Sequence, residues 1–163
     1  MKQRPILFST EMVKALISGR KTQTRRLAKD LNKCPYGVVG NQLWVKETFS
    51  QKDERIIYRA DVCSKWDLPD GFKWKPSLFM PRVASRILLE IESIHIEPLC
   101  DISEEDAIAE GVEEFIKYRD YFTINKYSFE NPIDSFASLW NSIKGNGAFE
   151  MNYFVWVIKF KVI

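Results

Sequence analysis

The sequence is poor in the residues that build metal and covalent centres. It holds one histidine, His95, and three cysteines, Cys34, Cys63 and Cys100, in 163 residues. A single histidine leaves a His-ligated metal centre and a Ser-His-Asp triad poorly supported. The cysteines are odd in number, widely spaced and form no C-x-x-C pair. That argues against a disulfide framework or a zinc site and for a reduced, cytoplasmic protein. There is no G-x-x-x-x-G-K-[ST] and no G-x-G-x-x-G, so nucleoside-triphosphate or dinucleotide chemistry is not expected. No apolar run approaches the roughly 20 residues of a membrane span, and residues 1–8 are too short and too polar for a secretory signal. Repeats, low-complexity tracts and linkers are also missing, so the expectation is one domain over residues 1–163, with no metal, no cofactor and no membrane partner.

What is present is a folded-protein composition with uneven charge. Hydrophobic residues make up 45 % and charged residues 28 %, which excludes a disordered chain. Residues 1–33 hold nine Lys or Arg and two acids, a local net of +7 against +2 for the whole chain. Arg20-Lys21 and Arg25-Arg26 crowd into seven residues, while nine acids lie between Glu97 and Asp120. A basic first fifth suits an anionic ligand or a nucleic acid, and equally a solvated charged face.

Periodicity and punctuation outline the elements. A short strand at 6–8 precedes a helix at about 11–18, capped by Ser9 or Thr10, striped by Met12, Ala15 and Leu16, and ended by Gly19. Residues 43–49 read as one strand and 55–60 as another, with a proline-rich loop over 64–81. Residues 85–97 form the longest strand, and its apolar alternation changes face near Ser93, which predicts a bulge. Ser103 opens a helix with an S-x-x-D cap that Gly111 ends. Residues 113–131 lack periodicity and read as an insertion. Asn131-Pro132 opens a last helix, and 153–163 is a terminal strand. About five or six strands and three short helices without regular alternation predict a β-centred α+β fold.

Chemistry concentrates in G-R-K-T-Q-T-R-R. Lys21 sits among arginines, which together with partial burial favours its neutral form and makes it a usable base. If the chain turns here, Lys21 and Thr24 face one pocket as a nucleophile pair. Taken alone, the pattern also suits a basic surface strand with threonines chosen for β propensity. Glu104, Glu105 and Asp106 complement a helix dipole, but Glu110 lies at the helix C-terminus, where an acid is disfavoured, and so stands out. Trp44 and Tyr58 are candidates to stack on a base. Arg82 and Arg86 suit phosphate, or pairing with Glu47 or Glu110.

Gly19, Lys21, Thr24 and Arg26 match the G-x-K-x-x-T-x-R signature of the ASCH domain family. The segments CPYG (34–37), LWVKETF (43–49), YRAD (58–61), MPRVASRI (80–87), ISEEDAIAEGV (102–112) and FVWVIKF (154–160) resemble the branch of that family found in phages and prophages. The resemblance implies a PUA-like, partly open β-barrel with about three short helices. It also implies a nucleoside or RNA ligand. One branch of small ASCH proteins hydrolyses the acetyl amide of N4-acetylcytidine without a metal, and its Lys, Thr and Glu fall on Lys21, Thr24 and Glu110. The expected activity is therefore a metal-independent amidohydrolase acting on N4-acetylcytidine or a similar modified nucleoside. Arg20, Arg26, Trp44, Glu47, Tyr58, Arg82 and Arg86 are its candidate binding residues. The alternatives are a non-catalytic RNA or modified-nucleotide binding module and, less favoured, a ribonuclease. This chain is longer than the small hydrolases, with added segments around 62–80 and after Gly111 that bear on the substrate more than on the chemistry.

Overall fold

The computed structural model describes residues 2–62, 69–112 and 131–163. The insertion at 113–130, Cys63 and Trp66 lie outside the described residues. The fold is α+β. In chain order the elements are β1 (Gln3–Leu7), α1 (Thr10–Ile17), β2 (Gln23–Leu27), β3 (Gln42–Lys46), β4 (Phe49–Lys52), β5 (Arg55–Tyr58), β6 (Leu88–Pro98), α2 (Glu104–Ala109), α3 (Pro132–Lys144) and β7 (Phe154–Val162). Five strands form one sheet in the order β1-β3-β6-β7-β2, and β4 and β5 form a hairpin of their own. Among the described residues only β1 and β3 pair in parallel.

The helices begin and end where the local chemistry dictates. The Ser9 hydroxyl accepts from the Met12 amide at the start of α1, and Ser103 does the same for Asp106 at the start of α2. The Asn131 side chain caps α3 through the Ile133 amide, with Pro132 in the first turn, and Gly145 ends it at φ +108°. The expected bulge lies in β6, where pairing with β7 shifts register between Ile91 and Ser93.

One expectation changes. The segment 43–49 is two strands, because β3 stops at Lys46 and Phe49 turns away to open β4. There Phe49 is buried against Met80 and Ala84, in a small core separate from that of the main sheet.

The main sheet is buried on both faces in its centre. Trp156, Ile158 and Phe160 of β7 point inward to Ile6, Leu43, Val45 and Leu89, with Val13 and Leu16 of α1. Val155 and Val157 point outward to Phe136 and Trp140 of α3 and Ala107 of α2. That double burial explains the nearly continuous apolar run of β7. The sheet does not close. Its edge strands β1 and β2 meet through a side chain: Arg26 Nη2 donates to the Leu7 carbonyl at 2.8 Å, and its guanidinium lies 5.3 Å from the Phe8 ring. Among the described residues no helix is long and apolar enough to cross a membrane.

Candidate active site

Lys21 lies in the short connection between α1 and β2. Gly19 adopts φ +75° and reverses the chain at the end of α1. The Lys21 amide donates to Ala15 O at 3.0 Å, and the Thr22 amide to Ala109 O at 2.9 Å. The connection is thereby tied to α1 on one side and to the end of α2 on the other. The Lys21 side chain is completely buried. Its Nζ donates to the Glu110 carbonyl at 2.7 Å and to the Glu110 Oε2 at 3.0 Å. Glu110 is the C-cap of α2, and Gly111 follows at φ +93°. A Cβ on residue 111 would stand 2.9 Å from Ala15 Cβ and 3.1 Å from Lys21 Cβ, so the close approach of α1, Lys21 and α2 requires glycine there.

Strand alternation sorts the β2 side chains onto two faces. Gln23 and Arg25 face α2, where the Gln23 amide donates to Asp106 O at 2.9 Å. Arg25 Nη2 reaches Glu97 Oε1 at 2.6 Å and Asp106 Oδ2 at 2.8 Å, while Nη1 reaches Glu110 Oε1 at 3.3 Å. Both carboxylate oxygens of Glu110 are thus engaged, one by Lys21 and one by Arg25. Thr24 and Arg26 occupy the opposite face of β2. Burial pulls the Lys21 ammonium pKa below its ordinary value; the Glu110 carboxylate opposes this and loses, and Arg26 and Arg25 add to the lowering. Burial likewise lowers Arg26, and among the described residues no carboxylate pairs with it.

Thr24, Arg26 and Glu110 line one cavity of about 40 Å³, closed by Met12 of α1 and by Trp140 and Ile143 of α3. Sites that enclose a whole small molecule begin near roughly 300 Å³, so this one admits only a small group of atoms. Two of its lining residues carry buried donors, Arg26 Nε and Trp140 Nε1, that have no hydrogen-bond partner among the described residues. Leaving such donors unmade costs about 1–3 kcal/mol each, and an acceptor oxygen inside the cavity would recover it.

The other predicted residues fall in three places. Arg20 borders the site, donating to Ser18 Oγ and to Gly111 O. Glu47, Tyr58 and Arg86 form a separate cluster with Asp61. In it Arg86 binds both oxygens of the buried Glu47 at 2.9 and 3.1 Å and both of Asp61 at 2.6 and 2.9 Å, and its guanidinium stacks 3.9 Å from the Tyr58 ring. Burial raises the Glu47 pKa even against Arg86. Trp44 lies on the face of β3 opposite to Val45, with Lys46 and Arg82 at 5.5 and 5.9 Å from its ring, and Arg82 also donates to Gln3. Sequence reasoning took Arg26 from the family signature and assigned no functional role to Arg25 or Trp140. The β alternation of QTRRL is a signal that places the two arginines on opposite faces. Among the described residues no group of three or more His, Cys, Asp or Glu is arranged to hold a metal ion.

No protein-family model matches the sequence, and no curated protein does. Solved structures do resemble it. A protein from Enterococcus faecalis V583, of family-model DUF984, aligns over 100 % of this chain and 76 % of its own, with a TM-score of 0.50 at 14 % identity. The two chains share a fold. The ASCH domain from Lactobacillus crispatus JV V101 aligns over 99 % of this chain and 79 % of its own at TM-score 0.49 and 14 % identity. The hypothetical protein PH0355 aligns over the whole of both chains at TM-score 0.49 and 11 % identity.

Proposed function

We propose that this chain is an ASCH-like amidohydrolase that removes the acyl group of N4-acetylcytidine or a similar modified nucleoside. The observation that carries the reading is the completely buried Lys21, held 3.0 Å from Glu110, with Glu110 and Thr24 lining one small cavity. An ammonium whose pKa is lowered by burial gives up its proton more readily than an ordinary lysine, as a general base must. A cavity of about 40 Å³ has room for an acetyl group and none for a nucleobase, so the base ring would lie outside it, toward the exposed Ile143 and Lys144.

In the proposed reaction neutral Lys21 Nζ takes the Thr24 hydroxyl proton as Oγ1 bonds to the acyl carbon. The carbonyl oxygen becomes an oxyanion, and the unpartnered Arg26 Nε and Trp140 Nε1 are the donors at hand for it. The C–N bond then breaks, and Lys21 returns the proton to the departing exocyclic nitrogen. Water attacks the Thr24 ester, gives its proton to Lys21, and acetate leaves as Thr24 recovers the hydrogen. Glu110, with one oxygen on Lys21 and the other on Arg25, serves in this scheme as the positioning residue for Lys21.

The binding-module reading rests on the basic first fifth of the chain. Lys21 and Arg25 are buried and Arg26 is half-buried, so they are poor phosphate contacts, and this favours the enzymatic reading. The test is incubation of the protein with N4-acetylcytidine, with cytidine followed by chromatography beside Lys21→Ala. Cytidine from the wild type alone is expected. No turnover, or equal turnover in the variant, removes the assignment.

A further inference from the structure

The inward face of the sheet has a second end. Strand β1 runs from Gln3 to Leu7, and its far end is where Arg26 and Lys21 gather over Phe8. Its near end opens on a different cavity of about 660 Å³, a size that accommodates a whole small molecule. The loop 32–41 walls this cavity, anchored where Gly40 N donates to Ile91 O and Ile91 N to Asn41 O. Gly37 adopts φ +121°, and a Cβ there would meet Asn41 Oδ1 at 2.9 Å, so the loop packs closely on itself.

The lining is chemically one-sided. Lys2, Arg4 and Lys33 bring three cations, and among the described residues no acid lines the cavity. Arg4 is fixed by donation from Nη1 to Pro35 O at 2.8 Å, while its Nε is buried with no hydrogen-bond partner among the described residues. Trp156 and Ile94 present an apolar surface behind the cations. Trp156 is held in place by donation from Nε1 to Asp30 O at 3.2 Å. Asn32 and Asn41 add amide groups that both donate and accept. Clustered cations select an anion, an aromatic and aliphatic surface selects a flat apolar body, and amides select a heteroatom-bearing edge.

We propose that this cavity is a second binding site, separate from Lys21 and Glu110, for a nucleoside phosphate. Its phosphate lies among Lys2, Arg4 and Lys33, and its base against Trp156 and Ile94. The chemistry is shared by a free nucleotide and by the 5′-phosphate end of an RNA, and the experiment separates them. Adenosine 5′-monophosphate, adenosine, and a short oligoribonucleotide with and without a 5′-phosphate are titrated calorimetrically into the wild type, into Lys2→Glu/Lys33→Glu, and into Lys21→Met. Circular dichroism confirms that each variant is folded.

The double variant is expected to weaken the monophosphate by about tenfold or more, with binding that falls as salt rises. Lys21→Met is expected to leave it unchanged, so the result stands whether or not N4-acetylcytidine is hydrolysed. Tighter binding of the 5′-phosphorylated RNA than of the monophosphate identifies a chain end as the source, and equal binding identifies the free nucleotide. Three results overturn the proposal: no binding of either phosphate at millimolar concentration, equal binding of adenosine and its monophosphate, or unchanged binding in the double variant.

Discussion

At the scale of the residue, the cost of burying Lys21 sets what can be expected of it. An ammonium with no solvent exposure is tolerated because Glu110 supplies both a carbonyl and a carboxylate oxygen. Replacing both members of a buried ion pair by apolar side chains is often neutral or stabilising, whereas removing one member strands the other. Lys21→Met leaves the Glu110 carboxylate still held by Arg25, so it is expected to lose less stability than Glu110→Ala, with no turnover of N4-acetylcytidine. Glu110→Ala is expected to lose about 3–5 kcal/mol in urea denaturation, because it leaves Lys21 without its carboxylate and Arg25 without one of its three. If Lys21 is the base, kcat rises with pH along a limb set by Lys21. Its lowered pKa places the midpoint of that limb below the ordinary lysine value of 10.5. A rate independent of pH across that range removes Lys21 from the proton transfers. Glu110 was legible in the sequence because an acid at a helix C-terminus breaks a local rule. Trp140 was not, because a tryptophan at helical spacing reads as core whether or not its ring nitrogen is satisfied.

At the scale of the element, the β4–β5 hairpin shows how far pattern reading carries. The strand residues of LWVKETF alternate without interruption, so nothing local marks the break between β3 and β4. The break is imposed from a distance. Glu47 is buried against Arg86, which arrives just before β6, and Arg86 also holds the Tyr58 ring at the end of the hairpin and Asp61 beyond it. Such a non-local pairing has no signature in a single sequence, whereas the serine, asparagine and glycine caps of the helices act over three or four residues and were all readable. Arg86 is accordingly a clamp between the two sheets. Arg86→Met is expected to cost about 3 kcal/mol or more, because it leaves the Glu47 carboxylate buried and unpaired. Adding Glu47→Gln should recover a large part of that loss in a double-mutant cycle. Strict additivity of the two substitutions in urea titrations would show that they do not act as a pair.

At the scale of the whole molecule, Arg25 joins what the chain order keeps apart. From β2 it reaches Glu97 on β6 and both Asp106 and Glu110 at the two ends of α2, so one guanidinium fastens the edge of the main sheet to the helical layer. The β-centred α+β fold was legible from strand and helix periods, but this fastening was not, since it depends on which of two adjacent arginines faces outward. Its pH dependence comes from Asp106. Partial burial pushes the Asp106 pKa up, but the hydrogen bond and charge of Arg25, aided by Lys159, outweigh it and hold the pKa below the usual 3.8. The unfolded chain therefore takes up this proton at a higher pH than the folded one. The stabilisation is complete well above pH 3.8 and is lost as the pH falls from there through the lower, folded-state value. Asp106→Ala is expected to be less stable than the wild type by about 1.5–3 kcal/mol at pH 7, the range for hydrogen bonds to charged groups. The gap between the two should narrow steadily below pH 3.8 as the wild-type carboxylate is protonated. Urea titrations at neutral pH and at successively lower pH read this directly. A gap that stayed constant into acid would mean that Asp106 stabilises the molecule through helix packing and not through its charge on Arg25.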